Sequence, residues 1–310
     1  MHVRLVDVDD ADWRSARRTG IGSSDAPAIV EALPATWARG PLEVYLEKIG
    51  EAPDKPSSIA MRRGTLLEPL VAQLYGEAHP LRTVSDPDGR MFRSRTEPHL
   101  LASPDRWIED PVRGLGLLEL KTSSVWAAEH WQGAAPPLHV LVQVQHQLLV
   151  LGASWAAVAV LIGDDPILTW DVERNEDFLA AYLERTRAFW ACVQRREPPE
   201  AGAASLDTLR RLYPTVEPAT IDLPPEATHW HRERLEGDTL EKRGKAMREA
   251  ATAKLLAALG PAEVGRLPGV DLSYVRTVVD RDSYVVKATS YVKLSTRTAR
   301  LPRRDKGTAA

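Results

Sequence analysis

The stretch GLGLLELKTSS, Gly114 to Ser124, decides how the rest of the chain is read. Leu115, Leu117, Leu118 and Leu120 form a short apolar run between glycine and serine, the pattern of a buried strand. Glu119 and Lys121 interrupt it, two residues apart. Side chains at i and i+2 leave a strand on the same side, so the carboxylate and the ammonium share one face while Leu118 and Leu120 pack on the other. A charge pair inside a core strand is costly unless something else meets it there.

The preceding segment supplies the third group. HLLASPDRWIE (99–109) is a second strand-like run, and DPVRG (110–114) carries the Pro and Gly of a turn between the two. With that turn centred near Val112 and Arg113, antiparallel pairing sets Asp105 roughly opposite Leu120, diagonal to Glu119 and Lys121. Two carboxylates this close repel unless a cation lies between them, and hard oxygen donors suit Mg²⁺ or Mn²⁺. With Lys121 stabilising developing negative charge, the set has the chemistry of phosphodiester hydrolysis. Glu68 strengthens it. In GTLLEPLVAQLYGEA (64–78) apolar residues recur at helical spacing, and Glu68 shares a stripe with Val71 and Tyr75, where an unpaired carboxylate is costly to bury. Pro69 is expected in the first turn of that helix, where proline is tolerated.

Around this centre the pattern is mixed. IGSSDAPAIVEAL (21–33) reads as a helix capped by Ser or Asp, and PLEVYLEKIG (41–50) as a short helix between Pro41 and Gly50. SVWAAEHWQG (124–133) reads as another short helix. PPLHVLVQVQHQLLVLG (136–152) fits a helix with His139, Gln143, His146 and Gln147 on one stripe. SWAAVAVLI (154–162) and PILTWDV (166–172) suggest a hairpin, and the Asn175-capped run to Arg196 an amphipathic helix. Helices flanking a mixed sheet make an α/β core. EPPEAGAAS (197–205) is the clearest boundary, dividing a core of residues 1–200 from a C-terminal α+β extension, 201–310. The extension begins charged and helix-prone (226–259) and continues in β-branched runs, with nine Lys/Arg against three Asp between Arg276 and Lys306. That basic excess fits either a solvated tail or contacts to phosphate.

Composition narrows the chemistry. In 310 residues the formal charge is −3, which excludes a uniformly basic nucleic-acid binder but not a local basic groove. The one cysteine, Cys192, excludes internal disulfides, cysteine-held zinc and iron–sulfur clusters, and fits a reducing cytoplasm. No window reaches the apolar length of a membrane span, and the first residues lack a signal peptide's apolar run, so a soluble, cytoplasmic protein is expected.

SPDRW followed by LLELKT resembles the Asp…Glu-x-Lys signature of the PD-(D/E)XK nucleases. WRSARRTGIGSSDA (13–26), GTLLEP and QVQHQL narrow the resemblance, over roughly residues 13–195, to the YqaJ-like viral recombinases and lambda-type alkaline exonucleases. The resemblance implies a restriction-endonuclease-like core. It implies metal ligation by Asp105, Glu119 and the Leu120 carbonyl, with Glu68 as the additional acid near two Mg²⁺ ions, or Mn²⁺ in their place. Lys121 is then the catalytic lysine and Gln143 the residue that orders the site. Arg17 and Ser24, with Ser103 nearby, fall at the pocket for the 5′-phosphate of a DNA end. Where members carry a tyrosine before the glutamine motif this chain has LHV (138–140), which puts His139 forward for that place. Ser23 stands where the family often has glycine.

The activity so implied is a 5′-to-3′ exonuclease on linear duplex DNA, leaving 3′ overhangs for a single-strand-annealing partner in phage-type recombination. The resemblance adds a homotrimeric ring and a phage or prophage protein of the bacterial cytoplasm. Two other functions fit the residues: an endonuclease of restriction or repair type, and a non-catalytic DNA-binding scaffold. The complete Asp105, Glu119 and Lys121 set speaks against the last.

Overall fold

A computed structural model describes residues 3–5, 13–33, 39–52, 58–87, 91–202, 205–213, 215, 218, 220–269 and 272–278. The chain falls into two compact units, residues 1–214 and 215–310. The first contains strand β1 (Val3–Leu5), helices α1 (Trp13–Arg18), α2 (Ala26–Ile29), α3 (Pro41–Ile49) and α4 (Ile59–Ala78), and strands β2 (Thr83–Ser85), β3 (Phe92–Ser94), β4 (Leu101–Ala102), β5 (Arg106–Asp110) and β6 (Gly114–Ser123). A 3₁₀ helix (Val125–Trp131) follows, then α5 (Leu138–Leu151), β7 (Trp155–Ile162), β8 (Leu168–Glu173), α6 (Glu176–Arg195) and α7 (Leu206–Leu212). The second unit contains α8 (Ala227–Leu259) and the antiparallel pair β9 (Val264–Arg266) and β10 (Ser273–Val275).

A five-stranded sheet, ordered β2-β5-β6-β7-β8, carries the first unit. Its only parallel pair is β6 with β7, and α5 forms the crossover between them, as a parallel connection requires. The Gly114–Ser124 stretch thus holds a central strand, buried on both faces over residues 116–120. Leu118 and Leu120 pack with Val71, Ala72 and Tyr75 of α4, whereas Leu117 faces the larger core that includes Val140, Val144 and Leu148 of α5. A smaller antiparallel sheet, β1-β3-β4, stands beside it. The chain passes from this sheet to the larger one through Ser103, Pro104 and Asp105.

Local signals hold in several places. The turn between β5 and β6 is Pro111, Val112 and Arg113. The Asp110 carboxylate accepts the N–H groups of Val112 and Arg113 at 2.8 and 3.0 Å, and Gly114 takes the left-handed backbone (φ 71°) that closes such a loop. Asn175 caps α6 by accepting the Phe178 N–H at 2.9 Å. The helix over 138–151 and the hairpin of β7 and β8 form as expected.

Three local expectations fail for physical reasons. Pro69 is not in a first turn: α4 begins at Ile59, where Ser58 accepts the Met61 N–H, and packing on the sheet carries the helix through the proline. The segment after Gly22 forms only the four-residue α2, and the Asp25 side chain does not cap it because it is occupied elsewhere. The 124–133 segment is a 3₁₀ rather than an α-helix. Helix α7, which follows the Pro- and Ala-rich 197–205 stretch, packs Leu209 and Leu212 on the first unit's core. The runs SYVVKA and SYVKLS and most of the basic C-terminal stretch lie outside the described residues. No helix of the described residues is long and apolar enough to cross a membrane.

Two consequences can be measured. A Cβ added at Gly116 would lie 2.4 Å from Cε2 of the buried Trp155 indole, so Gly116→Ala is expected to lower stability by about 1–3 kcal/mol. An unchanged denaturation midpoint would contradict the close approach. His146 is fully buried on α5: its Nε2 donates to the Leu101 carbonyl at 2.7 Å, and its Nδ1 accepts the Tyr182 hydroxyl at 2.5 Å. Burial pushes its pKa down to about 4 from 6.5. The unfolded chain therefore binds the extra proton first, and His146 alone should remove about 2 kcal/mol of stability between pH 7 and pH 5. Urea titrations at the two pH values check this. A His146→Gln variant should lose that part of the pH slope, and an identical slope would rule His146 out as its source.

Candidate active site

Strand β6 outlasts its antiparallel partner, and the site lies where the two part. The register pairs Arg106 with Leu118, which sets Asp105 level with Glu119 rather than with Leu120 as expected, a shift of one residue caused by the three-residue turn. Past the end of β5, the Asp105 carboxylate accepts the Leu120 N–H at 2.8 Å. This contact turns Asp105 towards β6.

Glu119 is almost fully buried, and three hydrogen bonds fix it. Oε1 accepts Lys121 Nζ, and also Gln143 Nε2 at 2.6 Å; Oε2 accepts Gln147 Nε2 at 2.7 Å. Lys121 Nζ donates in turn to Gln143 Oε1 at 3.0 Å. Gln143 and Gln147 stand one turn apart on α5, so a single helix face reads both carboxylate oxygens. Gln147 was not singled out in the sequence as a site residue. Its signal was present, as i+4 from Gln143 on the same stripe.

Glu68, from α4, lines the same cavity of about 300 Å³ as Asp105, Glu119, Lys121 and Gln143. Its carboxylate, however, pairs with Arg106 Nη1 at 2.8 Å, a partner that sequence spacing did not suggest. Among the described residues, no group of three or more His, Cys, Asp or Glu side chains is gathered closely enough to hold a metal ion. The acidic pair is Asp105 and Glu119. Burial first, and then the Glu119 charge, raises the Asp105 carboxyl well above the ordinary carboxylate range, against the pull of Lys121. Burial works against the Lys121 ammonium too, but Glu119 and Asp105 outweigh it and hold its pKa above the usual value. Two hard carboxylates crowded in one cavity suit a divalent cation.

A second cavity, of about 380 Å³, adjoins the first and shares Lys121, Thr122 and Gln143 with it. Ser24, Arg39 and His139 also line it. Burial, with the charges of Lys121 and His130, lowers His139 to about 4, so its ring is neutral at neutral pH. Arg17 Nη2 donates to Ser24 Oγ at 2.8 Å, which joins the two residues of the N-terminal motif. Ser103 stands two residues before Asp105 on the link from β4 and lines neither cavity. The structure thus gathers Glu68, Asp105, Glu119, Lys121 and Gln143 in one place and Ser24 and His139 in the adjoining one. It also adds Arg39, Gln147 and Arg106.

A family model described as the YqaJ-like viral recombinase domain matches residues 12–154. The chain is 32% identical over 232 residues to the protein YqaJ of Bacillus subtilis (strain 168), a match spanning 73% of this chain and 69% of the other. Among solved structures it is similar to the alkaline exonuclease LHK-Exo of Laribacter hongkongensis, with 21% identity, a TM-score of 0.49, and coverage of 60% of this chain and 94% of that one. LHK-Exo in complex with dAMP gives 22% identity, a TM-score of 0.50 and the same coverage. At that identity the likeness to LHK-Exo in its dAMP complex is one of fold: the mixed sheet with helices on both faces is the α/β core expected from the sequence.

Proposed function

The chain belongs to the YqaJ-like viral recombinase family, and from that membership we propose that it is a metal-dependent exonuclease degrading one strand of linear duplex DNA from a 5′ end. The observation that carries this reading is the convergence of Asp105, Glu119 and Lys121 on one cavity that adjoins the cavity of Ser24 and Arg39. A site for bond cleavage beside a site for a chain end is what an end-dependent nuclease needs.

Asp105, Glu119 and the Leu120 carbonyl would hold the metal, with Glu68 as the additional acid near it. A divalent cation, Mg²⁺ or Mn²⁺ and in the fullest form of the reading two ions, would polarise the scissile phosphate and lower the pKa of the attacking water. Gln143 and Gln147 hold the Glu119 oxygens in place, so the carboxylate needs no reorientation during the reaction. Lys121 brings a fixed positive charge to the phosphate as negative charge grows there. Arg17 and Ser24 receive the terminal 5′-phosphate, with Ser103 as the more distant candidate, and neutral His139 takes the place of the family's tyrosine.

By the same resemblance the enzyme acts as a homotrimer in the cytoplasm of a bacterium carrying a phage or prophage. It would leave its 3′ overhang to a single-strand-annealing protein, with residues 1–200 as the nuclease core and 201–310 as an added domain. The test is digestion of linear, nicked and closed circular duplexes in Mg²⁺ or in EDTA. Metal-dependent loss of linear DNA alone supports the proposal. Cutting of closed circles makes the protein an endonuclease instead, and no cutting in any condition makes it a scaffold.

A further inference from the structure

Asp25 is fully buried and saturated with donors. Oδ1 accepts Arg39 Nη2 at 2.7 Å and Arg17 Nη2 at 3.2 Å; Oδ2 accepts Lys48 Nζ at 2.6 Å and the Gly22 N–H at 2.9 Å. Lys48 alone would neutralise one carboxylate, and burying further charge is costly without a purpose. Both guanidinium groups also reach Ser24. Arg17 bonds its hydroxyl, and Arg39 Nη1 bonds its carbonyl at 2.7 Å. Arg39 also pairs with Glu47 at 2.8 Å. Arg39 therefore links both carboxylates to Ser24, and with Ser24 it lines the cavity that also holds Lys121. Burial works to raise the Asp25 carboxyl, but Lys48, Arg39 and Arg17 together hold it well below the usual range, so it stays ionised. Lys48 further donates to the Arg17 carbonyl at 2.8 Å, which ties the end of α1 to the same point.

We propose that Asp25, anchored by Lys48, is a positioning residue that aims Arg17 and Arg39 at Ser24, and that Arg39 is a second cationic arm of a pocket for a terminal phosphate monoester. A monoester at a chain end carries more negative charge than a phosphodiester within the chain, and a planar guanidinium fork matches its oxygens. This inference rests on the proposed nuclease reading for the identity of the chain end, but its test does not depend on cleavage.

The test is the dissociation constant of a short blunt duplex, measured by fluorescence anisotropy in EDTA, for 5′-phosphate against 5′-hydroxyl ends. The wild type should favour the phosphate. Arg39→Gln should cut that preference about tenfold or more, the loss expected for a charged hydrogen bond. Arg39→Lys, which keeps the charge but not the fork, should recover part of it. Asp25→Asn, where folded by circular dichroism, should lose the preference as Arg39→Gln does. Arg195→Gln, which only breaks a surface pair with Glu197, should leave it unchanged. A wild type indifferent to the end group, or an Arg39→Gln protein with the full preference, overturns the inference. If linear DNA is digested with Mg²⁺ while the preference is absent, the pocket fails and the nuclease reading stands. If the preference is present and Arg39-dependent but nothing is digested, the reverse holds.

Discussion

Asp105→Asn is expected to abolish metal-dependent digestion of linear duplex DNA, a loss of ~10³-fold or more, and at the same time to raise the melting temperature of the metal-free protein. The two effects share one cause. Burial and Glu119 raise the Asp105 carboxyl in the folded state, so its ionised form at neutral pH opposes folding. Asparagine removes that charge yet keeps an oxygen to accept the Leu120 N–H, so the junction of β5 and β6 stays closed. The expected rise is about 2–4 °C, the size of ~1 kcal/mol in a chain of this length. Mg²⁺ should stabilise the wild type and leave the variant unmoved. Retained cleavage, or a melting temperature that falls, would show that Asp105 does not bear the role assigned to it.

Lys121→Met has the opposite sign in stability and the same sign in activity. Its ammonium is the cation nearest the crowded carboxylates, bonded to Glu119 and to Gln143. Without it, Glu119 and Asp105 face each other uncompensated, and Gln143 Oε1 loses its donor. The metal-free protein should melt lower than the wild type, with Mg²⁺ restoring part of the difference, since a cation can then do what the lysine did. Digestion of linear DNA should fall ~10²–10³-fold even at saturating Mg²⁺, because the proposed role of Lys121, a fixed charge beside the scissile phosphate, is then lost. Thermal melts with and without Mg²⁺, run beside the digestion assay, separate the two variants. Equal and parallel behaviour of Asp105→Asn and Lys121→Met would contradict the electrostatic account of the site.

Much of this was legible before any coordinates. The period-2 spacing of Glu119 and Lys121 put them on one face, the Pro-Gly turn placed Asp105 within reach, and the helical spacing of Gln143 and Gln147 put both on one stripe. Each inference concerns neighbours in sequence, where bond geometry leaves few choices. The same local rules misjudged Pro69 and Asp25. In α4, burial of Val71, Ala72 and Tyr75 against the sheet overrides a proline's preference for a helix start. At Asp25, a residue type that caps helices turns instead to cations 8, 14 and 23 residues away.

By itself, then, the sequence determined the α/β class, the strand that carries the site and the chemical character of its charged set. These follow from periodicity and residue type. The tertiary structure alone decided the one-residue register between Asp105 and Glu119, the capture of Glu68 by Arg106, the use of Gln147 on the second Glu119 oxygen, and the gathering of Arg17, Arg39 and Lys48 on Asp25. A buried carboxylate must find donors, but which donors it finds depends on where loops and packed helices bring distant residues. No local spacing encodes that choice.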